Sequence, residues 1–170
     1  NIGVGIGKRF IGNYLRYFVW ILPLNMIPIY KLVTIESAFL VWFVPIVVAD
    51  FFYYWSHRLA HEFPFLWAIH VVHHSDPYVN MSTGLRSSWF NFIITWIYAF
   101  PLAILIMIGF PREIFACLAI PTLYQGWIHT QAIGKIPYFD WIFVTPPIHC
   151  LHHGYNDPYL NKNYGAIFII

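Results

Sequence analysis

From Trp89 to Ile108 the chain runs through twenty residues without one charged side chain. A bilayer core about 30 Å thick is crossed by roughly 20 mostly apolar helical residues, so this stretch has the length and character of a membrane span. Pro101 is its expected kink and Gly109-Phe110-Pro111 its stop. Three further runs resemble it: Tyr14 to Val33, interrupted by Pro23, Asn25 and Pro28; Ile35 to Trp55, with Asp50 in its interior; and the shorter Ile114 to Ile128. The expected fold class is all-α and integral to the membrane, about four transmembrane helices arranged as two hairpins. Composition agrees, because 59% hydrophobic and 9% charged residues leave too little charge to coat a soluble surface, where about 25% is usual. A formal net charge of +2, scattered without a basic stripe, excludes a nucleic-acid partner. Two cysteines, Cys117 and Cys150, make no disulfide framework.

Basic residues favour the cytoplasmic side of a membrane. With the N-terminus cytoplasmic, Lys8, Arg9, Arg16, Arg58, Arg86, Lys135 and Lys162 lie inside, and only Lys31 and Arg112 lie outside, each near an acid, Glu36 or Glu113. Arg58 and Arg86 are expected to anchor helix ends at phosphate headgroups. The chain opens at Asn1 without methionine and stops within the apolar run Ala166 to Ile170, and so reads as a fragment open at both ends.

Nine histidines are unusual for so apolar a chain. They fall at His57 and His61, at His70, His73 and His74, at His129, and at His149, His152 and His153, and all sit at or beyond a predicted cytoplasmic end. At about 100° per helical residue, His57 and His61 lie about 40° apart, and each triplet spans an arc of about 100°. Neutral imidazole offers a metal a nitrogen at about 2.0–2.1 Å and brings no negative charge into a low-dielectric site. Nine donors exceed the needs of one ion; two ions with four or five nitrogens each would use them all.

His61-Glu62 opens a zinc-protease motif, but position 65, where that motif needs a second histidine, is Phe65. No acid has the Glu-x-x-His spacing of carboxylate-bridged di-iron bundles. The pattern is that of a histidine-rich dimetal site. Asp50, seven residues and about two turns before His57, is placed to accept an imidazole N–H and fix a ligand's tautomer. Rival readings are a metal transporter or store, whose ligands would line a path near the bilayer midplane, and a bis-histidine haem protein, which leaves the two triplets unused.

The stretch Asp50-Phe-Phe-Tyr-Tyr-Trp-Ser-His57-Arg-Leu-Ala-His61-Glu62, then Leu66-Trp67-Ala-Ile-His70-Val-Val-His73-His74-Ser75, resembles the fatty acid hydroxylase/sterol desaturase superfamily of membrane di-iron oxygenases. Tyr124-Gln125-Gly-Trp-Ile-His129-Thr130, Thr145-Pro146-Pro147-Ile-His149-Cys-Leu-His152-His153-Gly154 and Asn161-Lys162-Asn163-Tyr164-Gly165 are similar to its branch of alkylglycerol monooxygenases and bacterial sterol-desaturase-like proteins. The resemblance implies a fatty acid hydroxylase-like domain over 45–170 behind an N-terminal membrane helix region over 1–44. It implies that the nine histidines ligate two irons, with no catalytic residue beyond the ligands, and that dioxygen and an electron donor are consumed. Gln125 stands where the fatty-acyl branch has a histidine, which makes it a residue behind the ligands or a weak ligand itself. Gln131 stands where the alkylglycerol branch often has an acid, which leaves tetrahydropterin open as the donor. The implied activity is hydroxylation of a lipid C–H bond, of sterol, fatty-acyl or alkylglycerol type, with lipid desaturation at the same site as the alternative.

Overall fold

The computed structural model describes Gly3 and residues 22–26 and 29–170. Among the described residues six α-helices follow one another: α1 (Leu22–Met26), α2 (Ala38–Glu62), α3 (Pro64–His74), α4 (Phe92–Ile108), α5 (Ala119–Ile128) and α6 (Pro146–His152), with 3₁₀ turns at Trp89–Asn91, Arg112–Leu118 and Phe139–Trp141. Among the described residues there is no strand, only an isolated antiparallel bridge between Phe143 and Phe168.

Among the described residues two helical stretches, Ala38–Glu62 and Trp89–Ile108, are long and apolar enough to cross a membrane. Ser37 caps α2 by accepting the Leu40 N–H. The helix begins three residues inside the predicted run and continues seven beyond Trp55, so His57 and His61 ride on the same rod as the apolar span. Gly109, at φ +133°, ends α4 in a conformation closed to most side chains. Half of the predicted span Tyr14 to Val33 lies outside the described residues; the described half holds the short α1, and residues 29–33 are not helical. The predicted span Ile114 to Ile128 is corrected: it is a 3₁₀ stretch running into the ten-residue α5. Pro121, in the first turn of α5, has no N–H to offer the Cys117 carbonyl, so that one bond of an α-ladder is missing where the 3₁₀ stretch gives way to the helix.

Packing gives the direction of each element. Val41 and Val44 pack against the cluster of Ile106, Phe110 and Ile114, Ala49 clusters with Leu102, and Ala60 with Ile94, so α4 runs antiparallel to α2. Ile114 packs near Val41 and Cys117 against Ala49, so the chain beyond Gly109 returns alongside α2 toward its histidine-bearing end. Backbone bonds from Tyr30 and Val33 to the Met107 and Ile108 carbonyls close the opposite end at 2.8 and 2.9 Å. Outward from this narrow core, Phe39, Phe43, Val47 and Phe51 of α2 and Trp96, Phe100 and Ile104 of α4 are exposed. An apolar face of this kind suits acyl chains and not water.

Candidate metal centre

The nine histidines converge into two groups. His57, His61, His70, His74 and His152 form one, and His73, His129, His149 and His153 the other; within each group the candidate ligand atoms all lie within 4.8 Å of one another. Neither triplet serves a single group. On α3, His70 and His74 are one turn apart and face the first group, while His73 faces the second. On α6, His149 and His153 face the second group and His152 the first. The roughly 100° between neighbouring helical residues, which the sequence reading took as one shared direction, divides each triplet between two neighbouring points. His129 is 1% exposed just past the end of α5 and belongs to the second group.

Second nitrogens fix the tautomers. The Nδ1–H groups donate to backbone carbonyls: His57 to Tyr164 at 2.9 Å, His73 to Arg86 at 3.1 Å, His152 to Lys162 at 2.8 Å, and His129 to Gln125. The Nε2 atoms of these rings therefore carry lone pairs. Yet His73 Nε2 and His129 Nε2 face each other at 3.1 Å. Burial pushes His73 and His152 down to about 3, with the nearby His129 and His61 rings adding to the respective shifts. Burial likewise drives His70, His74, His149 and His153 below their ordinary range. The rings are neutral at pH 7, so no proton is available to sit between His73 and His129.

A cation resolves this repulsion. Nitrogens bound to one ion at about 2.1 Å stand about 3.0–3.4 Å from their neighbours, and the Nε2 pairs His70–His74, His74–His152, His129–His149 and His149–His153 lie at 3.1, 3.2, 2.9 and 3.2 Å. His57 Nε2 and His61 Nε2 are buried without a hydrogen-bond partner, a costly state for a polar atom that nothing compensates. Two metal ions fit these residues, and no carboxylate belongs to either group. A set made only of imidazoles suits zinc, copper, iron or nickel.

Residues 42–170 match the sequence profile of the fatty acid hydroxylase family. The chain belongs to this family. As a fatty acid hydroxylase family member, it is 43% identical over 130 residues to the alkylglycerol monooxygenase of Danio rerio and 41% identical to that of Homo sapiens, in each case over 76% of this chain and 28% of the relative. It is 33% identical to the ornithine lipid hydroxylase OlsE of Rhizobium tropici, over 74% of this chain and 38% of the relative. The chain thus spans little more than a quarter of the alkylglycerol monooxygenases it matches. No solved structure matches it.

Two further sequence expectations change in detail. Asp50 does not accept an imidazole N–H; its oxygens take the backbone N–H groups of Ile167 at 2.8 Å and Phe168 at 3.2 Å. Those bonds hold the segment whose Tyr164 carbonyl receives the His57 N–H, so the carboxylate acts on the ligand through the backbone. Gln125 stands behind His129 through its main-chain carbonyl, and its side-chain Nε2 is buried without a partner. The sequence reading missed the carbonyl acceptors Arg86, Lys162 and Tyr164, since every residue carries the same carbonyl. One signal was available at the last two. Asn161 and Asn163 adopt φ of 57° and 60°, a conformation asparagine tolerates better than most residues, and the alternation directs the carbonyls between and after them to His152 and His57.

Proposed function

We propose that residues 45–170 form the catalytic domain of a membrane-bound, dioxygen-dependent di-iron lipid hydroxylase, preceded by an N-terminal membrane region over 1–44. The observation that carries this reading is the facing of His73 Nε2 and His129 Nε2 as two lone pairs at 3.1 Å, within groups of five and four imidazoles. The relatives, a monooxygenase and a lipid hydroxylase, favour insertion of oxygen over desaturation. Bound at the two groups, iron would supply the reduction of dioxygen and the oxidation of an unactivated C–H bond. The balance is one C–H bond, one O₂, two electrons and two protons giving one alcohol and one water, with the electrons drawn from an external donor.

The chain's own residues provide the setting. Nine neutral imidazoles would hold charge-bearing metal without carboxylates, and the carbonyls of Tyr164, Lys162, Arg86 and Gln125 keep the Nε2 atoms of the rings they bond unprotonated. Burial of His129, His149 and His152 keeps bulk water from the reacting centre. The exposed apolar faces of α2 and α4 bring a lipid substrate, of sterol, fatty-acyl or alkylglycerol type, to the site from within the bilayer, with the histidines at the cytoplasmic side of a multi-pass protein.

The test is metal and product analysis of the purified full-length protein, with lipids compared between cells that have and lack it. Two irons per chain and an accumulating hydroxylated lipid are expected. His73→Ala and His152→Ala should each lose iron and product while still inserting in the membrane. Retained turnover in either variant, haem absorbance, or stoichiometric zinc without turnover would overturn the reading.

A further inference from the structure

Between α3 and α4 the chain folds into a loop whose ends meet. Arg86 Nη1 donates to Ser75 Oγ at 2.8 Å and Nη2 lies 3.3 Å from Asp76 Oδ2, so one side chain near the end of the loop grips the two residues that follow His74. Inside, Thr83 N–H bonds the Asn80 carbonyl at 2.8 Å, Arg86 N–H bonds the Thr83 carbonyl at 2.9 Å, and Asn80 N–H bonds Thr83 Oγ1 at 3.2 Å. Thr83 is fully buried. The loop is thus an internally bonded body and not a slack connection.

Its inner surface touches two histidines, and both belong to the same group. The Arg86 carbonyl accepts the His73 Nδ1–H at 3.1 Å. Gly84 lies against His129 so closely that a Cβ there would sit 3.2 Å from the ring's Cγ and Nδ1, closer than a ring held by a short hydrogen bond to Gln125 can readily accommodate. The five-histidine group takes its carbonyls from Tyr164 and Lys162, at the other end of the chain. Each group therefore has its own support, and the two supports are separate pieces of chain.

We propose that Arg86 is a positioning residue for the four-histidine group alone: its guanidinium closes the 75–86 loop on Ser75 and Asp76 and thereby fixes the carbonyl that orients His73. This rests on the metal reading above. A basic residue at a helix end in an apolar protein is expected at lipid headgroups, but here the guanidinium turns back onto its own loop. The cationic group is spent on geometry.

The experiment uses the full-length protein in detergent, loaded with ⁵⁷Fe and read by Mössbauer spectroscopy, which distinguishes the two iron environments. Arg86→Gln is expected to weaken retention of one iron population by about 10-fold, the scale typical of residues that orient a ligand, and to leave the other unchanged. Arg86→Lys should restore part of the loss. Gly84→Ala, which leaves the clasp intact, should disturb the same population by pressing on His129 and keeps the test open should Arg86→Gln fail to fold. Both populations unchanged in Arg86→Gln, or both weakened equally, would overturn the proposal. A wild-type protein that binds no metal would overturn the metal reading with it, an outcome distinct from either.

Discussion

Asp50 is 1% exposed and both its oxygens accept backbone N–H groups, so an amide of the same shape turns one acceptor into a donor facing a donor. Asp50→Asn is expected to cost roughly 1.5–3 kcal/mol, the range for hydrogen bonds to a charged group, and to lower iron in the five-histidine group through the loosened Tyr164 carbonyl. Denaturation in detergent and metal content measure the two effects; full iron and full turnover would detach Asp50 from the site. The histidines give a pH dependence. Folded His73 and His152 sit at about 3, against 6.5 as the ordinary value, so as pH falls the unfolded chain takes up these protons first. The stability they contribute is fully present above about pH 6.5 and lost from there toward about pH 3. The melting temperature of the metal-free protein should therefore drop between pH 7.5 and pH 5; a rise would reverse the assigned sign.

At the scale of elements, the segment Asn161–Gly165 is a bracket made of backbone. A left-handed conformation costs an ordinary L-residue about 1–2 kcal/mol, and β-branching adds to it. Asn163→Gly should keep iron in the five-histidine group near the wild-type level, while Asn163→Val should lose it selectively, as read by site-resolved spectroscopy; equal retention in both would mean that the turn is not what aims the Tyr164 carbonyl. The elements differ in how plainly the sequence announced them. The run from Trp89 to Ile108 was legible because the absence of charge over such a length has few outcomes. The end of α2 was not, since Ser56, His57, Arg58 and His61 are too polar for a hydropathy reading yet continue the helix without difficulty. The run from Ile114 to Ile128 looked like a span because apolarity hides hydrogen-bond geometry, and the 3₁₀ bonding of Arg112–Leu118 leaves no mark on hydropathy. Nine histidines were legible from spacing as a set of candidate metal ligands, but not which histidine belongs to which group. That division depends on what faces α3 and α6 in space, and a helical wheel holds no such information.

For the whole molecule, the site gathers α2, α3, α6 and the residue following α5 at one end, so bound ions cross-link elements far apart in sequence. Ligand present at about 1,000 times its dissociation constant stabilises a folded state by about 4 kcal/mol, which for a chain of this size corresponds to about 8–16 °C in melting temperature. Chelation should lower the melting temperature by that order and ferrous iron should restore it; no change on verified metal removal would mean that helix packing alone holds these elements. The division of the triplets has one more outcome. His73 and His74 are covalent neighbours that serve different groups, as are His152 and His153, and adjacent Cα atoms stay about 3.8 Å apart whatever happens around them. The distance between the two metal positions is thus gauged twice by the chain itself, from opposing helices. An ion of another radius would leave that gauge unaltered and displace the rings that have no such neighbour, His57, His61, His70, His129 and His149.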